Sequence, residues 1–319
     1  MSLRYVLLTG GIGGAKLALG MQQAGLAADT AIVVNTGDDF RHLGLCISPD
    51  LDTLMYTLAG RVNTAAGWGR ADETWQCLQS LAELGGEDWF RLGDRDLAVH
   101  LLRTQALAQG QRLTTVTATL CAQMGISARV LPASDQPVAT QVRTAQGMLG
   151  FQDYFVRQRA EPVVQAIEFA GAAQAKPSPE VLQALQNKDL QAIIIAPSNP
   201  YLSIDPILAI PGLQGALKAS AAPVIAVSPI VGGRSLKGPT AKIMQELGRD
   251  ATALEVARHY QPWIDGFILD HMDEALHSEV EALGLTAYCC NTIMRSLAER
   301  AELAQSALAF ARSCPRRAA

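Results

Sequence analysis

Residues 4–39 read RYVLLTGGIGGAKLALGMQQAGLAADTAIVVNTGDD, and this stretch decides the fold. RYVLLT (4–9) has the continuous apolar character of a buried strand. The glycine cluster after it predicts a tight turn, GAKLALGMQQA (14–24) a helix, and TAIVVNT (30–36) a second strand. Strand, glycine turn, helix and strand make a βαβ opening, which calls for a parallel sheet in an α/β fold. The same kind of strand recurs late in the chain, in AIIIAPSNP (192–200), PVIAVSP (223–229), GFILD (266–270) and LTAYCC (285–290), so the sheet is expected to draw on both ends of the sequence.

Between these halves the pattern changes. Residues 72–125 carry helical periodicity, in ETWQCLQSLAEL, RDLAVHLLRTQALAQ and LTTVTATLCAQMG, and residues 128–170 read as short strands with an aromatic cluster, FQDYF, at 151–155. The expected organisation is a discontinuous core over 1–60 and 185–312, an inserted helical and β subdomain over 61–184, and a basic, frayed tail over 313–319.

Composition narrows the function. With 319 residues, 49% of them hydrophobic, the chain can bury a full core. A net charge of -4 gives no basic field of the kind nucleic acid requires. The six cysteines show no metal-ligand spacing, which reads as a reducing compartment without structural zinc. Four glycines and Lys16 interrupt the apolar start, so it is not read as a signal peptide, and no apolar run approaches the roughly 20 residues a membrane span needs. A cytoplasmic protein with small-molecule substrates is the expectation.

Four local signals carry chemistry. Thr9-Gly10-Gly11-Ile12-Gly13-Gly14-Ala15-Lys16 joins a strand end to a helix start, where backbone amides and the helix dipole favour a phosphate. Its spacing is neither a dinucleotide fingerprint nor a Walker loop, and a turn needed only for close packing would look the same. Asn35-Thr36-Gly37-Asp38-Asp39 and Ser48-Pro49-Asp50-Leu51-Asp52-Thr53 then place four acids near that phosphate site. A magnesium ion would relieve the repulsion, although Asp50 or Asp52 could instead cap a helix starting near Thr53. Arg91 precedes a helix expected from about Asp94, on which Asp96, His100 and Arg103 share one face. That face either lines a cleft or is structural, and Arg91 is the better ligand contact. Lastly, Ser198-Asn199 and Ser228-Pro229 follow strands at the same sheet edge and offer neutral groups to a nucleotide or phosphate.

Taken together, GGIGGAKL, NTGDD, SPDLDTLMYTL, WGRADETW, RLGDRDLAVHLLRT, PSNPYLSI and VSPIVGGRSLKGP resemble the motif set of the 2-phospho-L-lactate transferase (CofD) family, in family order, over roughly residues 5–242. The resemblance implies a Rossmann-like, mostly parallel sheet with an inserted helical/β subdomain, a homodimer and a need for magnesium. It implies a reaction of coenzyme F-420 biosynthesis. The ribityl hydroxyl of 7,8-didemethyl-8-hydroxy-5-deazariboflavin (FO) attacks lactyl-2-diphospho-5'-guanosine at the phosphorus bearing the acid, and GMP leaves. Related enzymes use phosphoenolpyruvate or 3-phosphoglycerate in place of phospholactate.

By motif position Asp52 and Arg91 are implied FO contacts, and Asp38, Asp39 and Asp50 metal ligands. Gly10, Gly11, Gly13, Gly14, Lys16, Ser198 and Asn199 make up the expected phosphate and nucleotide site. No general base is assigned. Two other readings stay open at this point: a nicotinamide-dependent oxidoreductase, with Asp38 on the ribose, and a non-catalytic nucleotide-binding protein.

Overall fold

A computed structural model of the chain describes residues 3–317. Strand β1 (Tyr5–Thr9) runs directly into helix α1 (Gly11–Gln23), followed by β2 (Thr30–Val34). The glycine cluster is therefore not a free turn: it forms the first turn of α1. A short hairpin, β3 (Phe40–His42) with β4 (Leu45–Ile47), leads to α2 (Pro49–Leu58). Proline at the first helical position starts α2 earlier than Thr53, so Asp50 and Asp52 both lie inside it.

Helices α3 (Gln76–Glu83), α4 (Asp94–Ala108) and α5 (Leu113–Gln123) come next. They precede β5 (Arg129–Pro132) and a three-stranded antiparallel sheet of β6 (Ala139–Thr144), β7 (Gly147–Gly150) and β8 (Ala166–Ala170). The remaining elements are α6 (Pro179–Leu185), β9 (Ala192–Ile195), α7 (Asp205–Leu208), α8 (Leu213–Ala219), β10 (Val224–Val227) and the ribbon β11 (Ile230–Val231) with β12 (Arg234–Ser235). The chain then forms α9 (Thr240–Glu246), α10 (Ala253–Tyr260), β13 (Gly266–Asp270), α11 (His277–Ala282), β14 (Thr286–Cys290) and α12 (Leu297–Ser313).

Seven strands pair in the order β14-β13-β10-β9-β1-β2-β5, every pair parallel. Both faces are covered, which is why the central strands read as unbroken apolar runs. Tyr5, Leu7, Ile32 and Val34 pack on one side under α1, α2, α5 and α12. Val6, Leu8, Ala31 and Val33 pack on the other under α6, α8 and α10. Helices α1 and α12 approach so closely that a Cβ at Gly20 would stand 2.1 Å from the Arg300 carbonyl oxygen.

Two boundaries differ from expectation. Strand β5 lies within the expected insert of 61–184, yet it pairs with β2 and closes one edge of the main sheet. The insertion is thus split into a helical part before β5 and a β part after it. Residues 313–317 are not frayed either. Buried Asp265 accepts from the Arg317 backbone N–H at 2.8 Å and pairs with the Arg316 guanidinium at 2.5 Å. Residues 318 and 319 lie outside the described residues. Among the described residues no helix is long and apolar enough to cross a membrane.

Candidate active site

The chain leaves β1 toward β2 on one side and returns to β9 on the other, so the carboxyl ends of β1 and β9 open a crevice, the usual ligand position in such sheets. A cavity of about 640 Å³ fills it. Its floor comes from Gly10–Gly13, Asp38, Asp50 and the loop after β9. The walls come from the two parts of the insertion, and the roof from the stretch around Leu236–Pro239.

Packing dictates the glycines. Gly11 has a φ of +65°, in the left-handed region. A Cβ at Gly13 would meet the Pro197 carbonyl oxygen at 2.2 Å, and one at Gly14 would meet Thr9 Oγ1 at 1.6 Å. Gly14 serves packing alone and does not reach the cavity wall. The outcome still matters for a ligand. Ile12 and Gly13 line the cavity in the first turn of α1, where backbone N–H groups lack intrahelical acceptors. Ser198 holds this turn against the β9 loop: its hydroxyl donates to the Gly10 carbonyl at 2.8 Å. Asn199 caps the following turn, accepting from Tyr201 and Leu202 N–H. Both residues line the cavity, and both spend hydrogen bonds on shaping it.

The hub of the floor is Asn35, fully buried at the end of β2. Its side-chain amide lies within donating distance of Asp38 Oδ1 (3.1 Å), Asp50 Oδ2 (2.9 Å) and the Leu202 carbonyl (3.2 Å), while its carbonyl accepts from Gly37 N–H. Asp50 Oδ1 also accepts from Gly11 N–H at 2.8 Å, so the carboxylate sits across the start of α1. Burial pushes the Asp50 carboxyl up to about 6, against the pull of Asn35 and Gly11. Asp38 is raised well above the ordinary range by burial and by Asp50 beside it. Neither acid has a cationic partner among the described residues. In the sequence, the signal for Asn35 is a polar residue directly after an apolar strand.

The other two acids of the cluster go elsewhere. Asp39 is not on the cavity wall: it accepts from the Ser48 hydroxyl at 2.8 Å, and burial raises its pKa well above the usual range. Asp52 is also absent from the wall. It makes a two-pronged ion pair with Arg103, which is 1% exposed, and His100 stands 3.2 Å from Arg103 Nη1. His100 Nε2 lies 3.0 Å from Asp96, which accepts from the Tyr56 hydroxyl. Burial alone would lower the Arg103 pKa, but Asp52, with smaller help from Asp39 and Tyr56, makes the net shift upward. The expected shared face of Asp96, His100 and Arg103 is therefore real, and it meets α2 rather than a cleft. Asp94 caps α3, accepting from Gln76 and Cys77 N–H, while Glu73 caps α4 through Arg95 and Asp96 N–H. These reciprocal caps account for much of the WGRADETW and RLGD motifs.

Lys16 and Arg91 do line the cavity. Lys16 donates to the Met294 carbonyl at 3.1 Å, and its pKa is lowered by burial and by Arg300 and Lys237 nearby. Arg91 is exposed, with its guanidinium 4.3 Å from the centre of the Trp75 ring. Around it the wall is aromatic: Trp68, Trp89, Phe90, Phe151 and Phe155 contribute, the last two rings stacked at 5.4 Å. Among the described residues no group of three or more His, Cys, Asp or Glu has metal-binding geometry. Asp38 and Asp50 remain as two hard oxygen donors, which suits an ion that takes its other ligands from water and phosphate.

The chain matches the family model described as 2-phospho-L-lactate transferase CofD over residues 5–297. It is 44% identical to a Streptomyces griseus protein named phosphoenolpyruvate transferase, across 97% of this chain and 98% of that one. It is 38% identical to a Methanosarcina acetivorans protein named 2-phospho-L-lactate transferase, across 94% and 96%. A Bacillus halodurans protein of the UPF0052 family shares the fold alone, with a TM-score of 0.61 at 16% identity over 97% of this chain and 99% of that one. With a model match over most of its length and relatives well above 30% identity, the chain belongs to the 2-phospho-L-lactate transferase CofD family.

Proposed function

We propose that this enzyme transfers the phospho-acid part of a guanylated three-carbon acid to the ribityl hydroxyl of FO, releasing GMP. Family membership, and not the geometry alone, sets aside the nicotinamide and non-catalytic readings. The observation that carries the proposal is a single cavity lined by two kinds of surface. The first turn of α1, Lys16 and the carboxyl groups of Asp38 and Asp50 make one, and Arg91 with a set of aromatic rings makes the other. A diphosphate fits the first and a planar deazaflavin the second.

In the reaction the FO oxygen forms a bond to the phosphorus bearing the acid. The bond from that phosphorus to the GMP phosphate oxygen breaks, GMP leaves with the electron pair, and the hydroxyl proton passes to water. Alignment and charge neutralisation do most of the work in such a transfer, so no covalent intermediate is needed. The N–H groups of Ile12 and Gly13 and the Lys16 ammonium hold phosphate oxygens. Arg91 and the aromatic wall hold the acceptor. Asp38 and Asp50 would hold a magnesium ion, which supplies neutralisation of the phosphate charge when bound. Asp39 and Asp52 act behind them, by fixing the loop after β2 and the first turn of α2.

The donor acid is taken to be phosphoenolpyruvate, because four relatives of that name are 41–44% identical. Phospholactate is the second reading, favoured by the family model and by relatives at 37–38%. The working form is taken to be a cytoplasmic homodimer, which light scattering tests for assembly and fractionation for location. The deciding experiment incubates the purified protein with FO, magnesium and, in parallel, the guanylated phosphoenolpyruvate, phospholactate and 3-phosphoglycerate donors. Product mass names the acid. No product from any donor would refute the transferase reading, and a product formed only from phospholactate would reverse the choice of acid.

A further inference from the structure

The ribbon β11–β12 turns at Gly232 and Gly233, whose φ values are +55° and +73°. Its base is pinned by Asp273, both of whose carboxylate oxygens lie within 3.2 Å of the Gly232 N–H. Beyond β12 the chain folds over the cavity, and Lys237 reaches its wall. Lys237 Nζ donates to the Ala66 carbonyl at 3.1 Å, in the loop that carries Trp68. A Cβ on Gly67 would stand 3.1 Å from that Nζ and 3.2 Å from Ile12 Cγ2, so the ammonium lies beside the first turn of α1. Lys16 lies close enough for the two ammonium groups to repel. Neither lysine has an ion-pair partner among the described residues, and each donates to a neutral carbonyl only. Two ammonium groups and the positive end of a helix therefore face one volume, an arrangement that costs energy until an anion enters it.

We propose that Lys237 is a donor-binding residue that pairs with the diphosphate of the guanylated substrate from the cavity wall beside the first turn of α1. The assignment rests on the transferase reading above and deepens it. As the phosphorus–oxygen bond to GMP breaks, that oxygen keeps the electron pair, and the Lys237 ammonium offsets the charge it acquires. The bond to Ala66 uses one of three N–H donors, so the lysine can grip phosphate while still tying the two roof loops together. Binding of the donor would then tighten the roof over the site.

The test uses GDP as an inert nucleoside diphosphate, titrated calorimetrically into the full-length protein with magnesium, together with steady-state KM values for donor and FO. Lys237→Gln should weaken GDP and raise the donor KM about tenfold, the loss expected for one charge-assisted contact. Lys237→Arg should recover most of that, and the FO KM should rise clearly less than the donor KM, since Lys237 touches the aromatic wall only through its bond to Ala66 in the Trp68 loop. Three results would overturn the assignment: unchanged GDP affinity in Lys237→Gln, equal weakening of FO and GDP in both variants, or no GDP binding by the parent protein. If the parent binds GDP but forms no product from FO and any guanylated acid, the transferase reading fails, and the GDP titrations still judge Lys237.

Discussion

Asp50 and Asp52 sit two residues apart in the first turn of α2 and are equally buried, at 7% and 5% exposure. Their surroundings are opposite. Asp52 points back into the protein and meets Arg103, with His100, Asp96 and Tyr56 extending the network. Asp50 lines the cavity, accepts only from neutral groups among the described residues, and shares the Asn35 amide with Asp38. Burial therefore does not separate scaffold from site here; counter-charge does. The compensated carboxylate fixes the helix, and the uncompensated pair is where a cation and a phosphate are needed.

Removing Arg103 should break the scaffold side. Arg103→Met leaves Asp52 buried without its partner and should cost on the order of 3–5 kcal/mol, read as a fall in Tm or denaturant midpoint. Combining it with Asp52→Asn should restore much of the loss, because no buried charge is then unpaired. An Arg103→Met protein as stable as the parent would mean that Asp52 does not depend on Arg103 for its compensation in the fold.

On the site side stability and activity should part company. Asp50→Asn removes a charge that the fold compensates poorly, so Tm should hold or rise. Turnover should fall by roughly 10²–10³, the usual loss when transition-state charge is left unneutralised, and more magnesium should be required. Asp38→Asn should behave alike. Asp39→Asn should not shift the magnesium requirement, since Asp39 faces Ser48 and not the cavity. Full transferase activity in exhaustive EDTA would defeat this division of the acids.

The pH dependence of the metal-free protein sharpens the contrast. Asp50 is raised from 3.8 to about 6, chiefly by burial. Between those values the native carboxyl keeps a proton that the unfolded chain has released, so the unfolded state binds fewer protons and stability falls as pH rises. Asp38 and Asp39 shift in the same direction and add to the slope. Thermal melts in EDTA should show Tm dropping from pH 4 toward pH 6, with a shallower slope in Asp50→Asn and a recovery at neutral pH on adding magnesium. A Tm that climbs over this range would contradict the burial of these acids without a cation.

How far the sequence could be read follows from the same physics. The apolar strands and the βαβ opening were legible because a strand covered on both faces must be apolar throughout, and Tyr5–Thr9 and Thr30–Val34 are. Strand β5 was misplaced because four residues, Arg129–Pro132, carry too little pattern to distinguish a sheet edge from an inserted hairpin. The acids were found as a cluster, but their directions were not. Whether a carboxylate in a first helical turn faces a cavity or an arginine is set by α4, some fifty residues further along the chain. An amide such as Asn35 announces no charge, and a lone lysine in a glycine-rich loop, such as Lys237, looks like solvent-facing chain. The glycine cluster predicts ligand contacts at Gly13 and Gly14, whereas contacts with Pro197 and Thr9 require those glycines first. Substituting either would damage packing before it reported on phosphate.

The smallest expected effect is at Arg91, which lines the cavity and, among the described residues, has no ion-pair partner in either group of acids. Its guanidinium is exposed and lies over Trp75, so solvent already screens its charge and the ring already holds its plane. Such a cation–π contact at the surface is worth roughly 0.5–1 kcal/mol, and an exposed charge adds little to folding. Arg91→Ala should therefore leave Tm within about one degree of the parent, as surface changes do. The acceptor is different, because a planar deazaflavin entering the aromatic wall would exclude water from the guanidinium and strengthen whatever contact it makes. The FO KM should rise several-fold, with the donor KM unchanged and kcat little affected, since the loss is of binding common to ground and transition states. Arg91→Lys keeps the charge but loses the flat surface, so comparing the two variants separates stacking from charge. If Arg91→Ala binds FO as tightly as the parent, the aromatic wall holds the acceptor alone, and the reach of the site ends short of α4.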